Sequence, residues 1–263
     1  MATITSLVDT TTTTNQGKAG DTVQINGTAL SATTRVNFGS VSVTPTSVTA
    51  TQVTFVVPST APCSGQVLVS VTSSTGATSN ALPFFVIAAP TTTGTNVTCV
   101  SAATGGPVTL FGTNFLTGTR VAVGSVGNVT VTPTQSSQVT FAAPANPGQV
   151  AAVSTQAVTL TTAGGTSSSG TTLIDYYLTP TITTVLPTSG TAGEEVTING
   201  TALVGVDTVT FTDNLGATAT AVFSPLSETQ VVATVPGGLA AGLGSITVHT
   251  CGGTSNTAAF TLI

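Results

Sequence analysis

Charge is what this chain has least of. Three basic and eight acidic side chains serve 263 residues, so charged residues make up 4% of the sequence, where an average globular protein has about 25%. With so few cations there is no basic patch to neutralise phosphates or to hold an anionic membrane, which excludes nucleic acid as a partner. Histidine occurs once, at His249, and no serine stands in a Gly-x-Ser-x-Gly elbow. A hydrolase needs a nucleophile, a base and an orienting group within reach, and this sequence offers no such set. The Gly/Ser-rich stretch Ala163–Gly170 has no lysine and therefore reads as a hairpin tip, not a phosphate loop. The longest apolar run, Ala81 to Ala89, contains Pro83 and is far short of the roughly 20 residues of a membrane-spanning helix. Membrane insertion is therefore not expected. Cys63, Cys99 and Cys251 form an odd, widely spaced set without a CxxC pair. They suggest free thiols at partly buried positions, with neither a disulfide framework nor a zinc site. The opening residues show no basic segment followed by an apolar one, so no leader peptide is expected.

Threonine fills the space that charge leaves, with 61 copies, beside 40% hydrophobic residues and a mean hydropathy of +0.47. Thr and Val are stiff at χ1 and suit pleated strands. No run of helix formers at helical spacing exceeds about two turns. The apolar content argues against disorder, and the pattern is all-β. Self-comparison gives the organisation. Gly20-Asp-Thr-Val-Gln-Ile-Asn-Gly27 recurs as Gly193-Glu-Glu-Val-Thr-Ile-Asn-Gly200 and, more loosely, as Gly106-Pro-Val-Thr-Leu-Phe-Gly112. A second block runs from Arg35, from Arg120 and from Thr208, and a third ends at Pro58, Pro144 and Pro236. Within each block Val, Ile and Phe alternate with polar residues, as in half-buried strands. The repeated Asn-Gly suggests a tight turn or bulge with positive φ. About seven short strands per unit indicate an immunoglobulin-like sandwich.

These blocks resemble the IPT/TIG family of immunoglobulin-like modules. The last unit carries the pattern best, with Pro180-Thr-Ile-Thr-Thr-Val-Leu-Pro187-Thr-Ser-Gly190 followed by Gly193 to Gly200. The first has Thr10 to Thr14 where the opening prolines would be, and the second is the most divergent. The resemblance implies three tandem β-sandwiches, at 1–88, 89–179 and 180–263, joined by short Thr/Pro linkers (Ile87–Thr95 and Leu178–Pro180) into an elongated rod.

Chemistry-bearing residues are sparse. Asp207, Asp213 and Asn214 bracket a strand and its turn, where oxygen ligands could hold calcium or where Asp and Asn simply favour the turn. Tyr176 and Tyr177 could form an exposed surface for stacking on sugars or belong to the core. His249 and Cys251 make a conceivable dyad without a third member, and a plain surface histidine is the alternative. Arg35 and Arg120 hold equivalent repeat positions. Glu194-Glu195 reads as a solvated pair. No cofactor, metal or catalytic residue is expected.

Two functions fit. The first is a structural protein of a virion surface, such as a phage capsid decoration protein, head fibre or tail component, bound to other virion proteins and to copies of itself as a homo-oligomer, with adhesion to host-surface glycans as an added role. The second is a bacterial cell-surface or secreted adhesin or carbohydrate-binding module with glycan partners. Five of the eight acidic residues, Glu194, Glu195, Asp207, Asp213 and Glu228, fall in the last unit. This suggests an anchoring N-terminal end through Thr14 and a solvated, acidic C-terminal end.

Overall fold

The computed structural model describes residues 1–60, 65–116, 119–168, 170 and 172–263. Among these every regular element is a strand. They form three sandwiches in chain order, each of two facing sheets. In the first, Thr3–Asp9, Thr22–Thr28, Gln52–Val56 and Ser47–Val48 make one sheet. The facing sheet runs Gln16–Gly17, Leu82–Val86, Gly65–Ser73, Thr33–Phe38, Val41–Val43. The last sandwich repeats this order, with Thr181–Leu186, Glu195–Thr201, Gln230–Thr234 and Phe223–Ser227 facing Ser189–Gly190, Ala258–Leu262, Gly242–Thr250, Thr208–Thr212 and Thr218–Thr220. The middle one sets Thr91–Thr95, Gly106–Thr113 and Gln138–Ala143 against Cys99–Ser101, Leu173–Tyr177, Val153–Thr162, Thr119–Val123 and Gly127–Val131.

In each sandwich the first segment of chain crosses from one sheet to the other. Thr3–Asp9 pairs antiparallel with Thr22–Thr28, and Gln16–Gly17 then pairs parallel with the closing strand Leu82–Val86. Cys99–Ser101 and Ser189–Gly190 make the same parallel pairing in the other two. This crossover ties the two sheets together at their open edge.

Period 2 sets the cores. In Gln52–Val56 the side chains of Val53 and Phe55 are fully buried while Gln52 and Thr54 face outward. Phe38, Phe55 and Phe84 meet in the first core with ring centroids 5.9 and 5.8 Å apart, and Phe211 and Phe260 meet edge-on in the last at 5.4 Å. Truncating any of these rings to Ala should cost about 3–5 kcal/mol. The three buried clusters draw on separate stretches of chain, from Ile4 to Val86, from Val100 to Tyr176 and from Ile182 to Leu262. The accessible surface is 12118 Å², against about 10,400 Å² for one compact body of this mass. The excess fits three small cores in a row.

Two expectations need correcting. The Asn-Gly pairs are not turns: Gly27 and Gly200 lie inside strands beside a β-bulge in the partner strand. A Cβ at Gly27, Gly112 or Gly200 would collide with the carbonyl oxygen of Thr3, Thr91 or Thr181, so glycine is needed there for close strand approach. Positive φ falls two residues later, at Ala29 (56°), Asn114 (60°) and Ala202 (54°). The first linker is also shorter than expected, because Thr91–Thr95 is a strand.

Candidate functional site

The places where sandwiches meet are built alike. In the middle sandwich the turn after Val153–Thr162 brings Gly164 N to donate to Thr162 Oγ1 at 3.1 Å. In the last, Gly252 N donates to Thr250 Oγ1 at 3.0 Å. Each glycine presses on the linker that precedes its own sandwich, Gly164 on the Ala88 carbonyl and Gly252 on the Leu178 carbonyl, so closely that no Cβ fits. Hydrogen bonds complete both joints. Asn114 Nδ2 donates to Ala89 O at 3.2 Å, while Ser101 Oγ and Thr179 Oγ1 both donate to Gly252 O at 3.0 Å.

The second joint has one thing more. Cys99, on the crossover strand of the middle sandwich, is disulfide-bonded to Cys251, on the hairpin of the last, with Cα atoms 6.2 Å apart across 152 residues. That separation lies within the usual range for a disulfide. This corrects the expectation of free thiols, since two cysteines far apart in the sequence meet where the middle and last sandwiches join. It also removes the His249–Cys251 dyad, since a sulfur in a disulfide is no nucleophile. Cys63 lies outside the described residues.

The first joint shows the same two positions without cysteine. Phe85 N donates to Asn15 O, and Asp175 N donates to Thr98 O. The next residues along, Gln16 and Cys99, are therefore equivalent. The hairpin bonds make Ala163 the counterpart of Cys251. Gln16 and Ala163 line one cleft of about 390 Å³ together with Thr11, Thr12, Thr14 and Leu116. Repeat alignment plus the hairpin register is the signal that would have paired the two cysteines from sequence.

The remaining sequence candidates separate. Tyr176 is fully buried, and its hydroxyl donates to Pro144 O at 2.9 Å. Burial pushes its phenol up to about 12, and the ring cannot stack on a ligand; the exposed tyrosine pair is thus corrected by strand alternation. Tyr177 points to the other face and lies against Gly205 of the last sandwich. Asp213 has both carboxylate oxygens engaged by backbone N–H groups, as the turn reading expects. Its Oδ1 accepts from Leu215 N and Ala217 N, and its Oδ2 from Ala240 N, all at 2.9 Å. The bond from Ala240 leads in holding its carboxyl below the ordinary value. Asn214 packs beside Gly242, and Asp207 pairs with His249 Nδ1 at 2.8 Å on an exposed face. Among the described residues no group of three or more His, Cys, Asp or Glu could hold a metal ion.

One feature escaped sequence reasoning. Phe84 and Phe85 are adjacent, so alternation must turn one outward, and Phe85 is 42% exposed. It stands directly across from Gln16 on one neighbouring strand and Gln66 on the other, both exposed. Leu68, 55% exposed, is next along the same face. An aromatic ring flanked by two carboxamides supplies a stacking surface and paired donors and acceptors. Around the second joint, clefts of about 460 and 510 Å³ flank Leu178 and Thr179, lined by small and hydroxyl side chains with Glu228 and Asn146.

No curated protein matches the sequence. Among solved structures the chain is similar to one crystallised with a xylogluco-oligosaccharide, at 18% identity and TM-score 0.44, over 99% of this chain and 60% of that one. This chain therefore spans about three fifths of that structure's length. It is similar to SGBP-B from a complex xyloglucan utilization locus in Bacteroides uniformis, at 14% identity and TM-score 0.33, over 99% of each chain. A third likeness is to the full extracellular region of plexin A4, at 16% identity and TM-score 0.41, over 90% of this chain and 21% of that one. Likeness at this level carries no inference about this chain. The family comparison is firmer: the IPT/TIG domain model matches residues 2–86 and 180–262, and the chain belongs to that family.

Proposed function

We propose that this protein is a non-catalytic extracellular or cell-surface scaffold of tandem β-sandwiches that binds glycan. Of the two functions read from the sequence, this is the adhesin or carbohydrate-binding one. The observation that carries it is the Cys99–Cys251 bridge across the second joint. Disulfides persist in oxidising compartments and are rare in reducing ones. A bridge between sandwiches stiffens their spacing, which is what a scaffold reaching away from a surface requires. The glycan part rests on the Gln16–Phe85–Gln66 row, an exposed and uncharged set of side chains suited to a neutral sugar. Residues 89–179 act in this scheme as a divergent copy of the same module, set between two family-typical ones.

The test is a panel of soluble neutral polysaccharides presented to the intact chain, read by affinity electrophoresis and calorimetry. Saturable binding is expected, weakened roughly three- to tenfold in Phe85→Ala, as fits the loss of one aromatic contact. A blank panel would remove the glycan reading. Co-purification with virus particles in place of glycan binding would favour the virion-surface reading instead.

A further inference from the structure

The crossover of the first sandwich differs from that of the last by one added carboxylate. In the last, Glu194 Oε2 accepts from Thr191 N at 2.8 Å and sits over Gly190. In the first, Asp21 Oδ2 accepts from Lys18 N at 2.9 Å and sits over Gly17 in the same way, 3.2 Å from where a Cβ would be. Strand register then sets Asp9 of the first against Pro187 of the last, since Asp9 pairs with Val23 and Leu186 with Thr197. Thr10 to Thr14 follow Asp9 as extra chain.

Asp9 is fully buried. Its Oδ1 accepts from Thr11 N and Thr12 N at 2.8 Å each. Its Oδ2 is enclosed without a hydrogen-bond partner, and it crowds the same point above Gly17 that Asp21 Oδ2 approaches. A buried carboxylate oxygen with no donor is costly, and a second carboxylate beside it adds like-charge repulsion. A cation between them reverses both terms. Among the described residues the sole ion pair is that of His249 with Asp207, so Lys18, the only lysine, does not fill this role.

We propose that Asp9 and Asp21 hold a hard divalent cation of the calcium class at the base of the Thr10–Thr14 loop. The groups that converge above Gly17 are carboxylate oxygens, hard donors that suit calcium and disfavour softer metals. With two charged ligands the dissociation constant should be of order 10⁻⁴–10⁻³ M, the range of extracellular calcium modules. The loop so pinned lines the cleft it shares with Leu116 and Ala163 of the middle sandwich. The ion would therefore brace the joint that lacks a disulfide.

The experiment is a Ca²⁺ titration of the intact, EDTA-stripped chain, followed by calorimetry and by thermal unfolding, with Mg²⁺ and Na⁺ for comparison. The wild type should bind one Ca²⁺ and melt at higher temperature with it. Asp9→Asn keeps the Oδ1 bonds and supplies an amide donor towards Asp21. It should fold, melt in EDTA no lower than the wild type, and bind Ca²⁺ at least tenfold more weakly. Glu194→Gln should leave binding unchanged. Binding that survives Asp9→Asn, or is lost in Glu194→Gln, overturns the proposal. So does a wild type that neither binds Ca²⁺ nor gains stability from it.

Discussion

The two joints are one design executed twice with different fasteners. Both set a hairpin glycine against the carbonyl of the preceding linker, both begin the next sandwich after a buried proline, Pro90 or Pro180, and both add side-chain hydrogen bonds. At the second, Cys99 and Cys251 close the contact covalently. At the first, the equivalent Gln16 and Ala163 face a shared cleft beside the threonine loop. The packing of hairpin on linker therefore sets the geometry, and the covalent bond limits how far the joint can open. The contrast teaches that stiffness here is adjustable joint by joint without altering the sandwiches.

The largest expected effect comes from removing the bridge. Cys99→Ser with Cys251→Ser should lower stability by ~2–4 kcal/mol and broaden the small-angle scattering envelope. An unchanged envelope and melting curve would mean that the linker contacts alone hold the second joint. Next comes its mirror image: Gln16→Cys with Ala163→Cys should form a disulfide in air, seen as a mobility shift on non-reducing electrophoresis. If the thiols stay free, the two joints are not equivalent. Third, Gly164→Val forces a side chain into the Ala88 carbonyl and should cost about 1–3 kcal/mol, read as earlier proteolysis of the first linker. The matching change at Gly252 should be cut more slowly, because the bridge retains that joint.

Smaller effects concern two buried titratable groups, one in the middle sandwich and one in the last. Tyr176→Phe leaves the Pro144 carbonyl without its donor and should cost about 1 kcal/mol. Burial raises the Tyr176 phenol from 10.0 to about 12, so the folded chain holds that proton more tightly than the unfolded one. Its contribution is complete below about pH 10 and is lost as pH climbs through the folded value. Tyr176→Phe should abolish that alkaline loss in a melt against pH. Asp213 works in the opposite direction: its folded value lies below the ordinary one, chiefly through the Ala240 N–H. Its stabilisation is present above the ordinary carboxylate range and fades as pH falls through the depressed value, so Asp213→Asn should flatten the acid limb.

The sandwiches were legible because alternation and repetition are local properties, carried by stretches such as Val23-Gln-Ile-Asn and Gln52-Val-Thr-Phe. The joints were not, because their parts come from different units. Nothing near Cys99 announces Cys251, and only the strand register relates Gln16 to Cys99. Period 2 also leaves its phase open: it says that one of Tyr176 and Tyr177 faces inward without saying which, and the same holds for Phe84 and Phe85. Asp9 escaped attention as a lone acid before a threonine run. Its importance lies in an oxygen that three-dimensional packing encloses.

Threonine hydroxyls pair across the outer faces of the sheets. Thr46 with Thr54, Thr91 with Thr113, Thr109 with Thr140, Thr161 with Thr166, and Thr181 with Thr201 all lie within hydrogen-bond distance, from 2.6 to 2.9 Å. These neutral pairs stand where other proteins place ion pairs, whose worth falls as dissolved ions screen them. A surface fastened by hydroxyls has almost nothing to screen. Sodium chloride at low or at high concentration should therefore leave the contribution of these hydroxyl pairs unchanged.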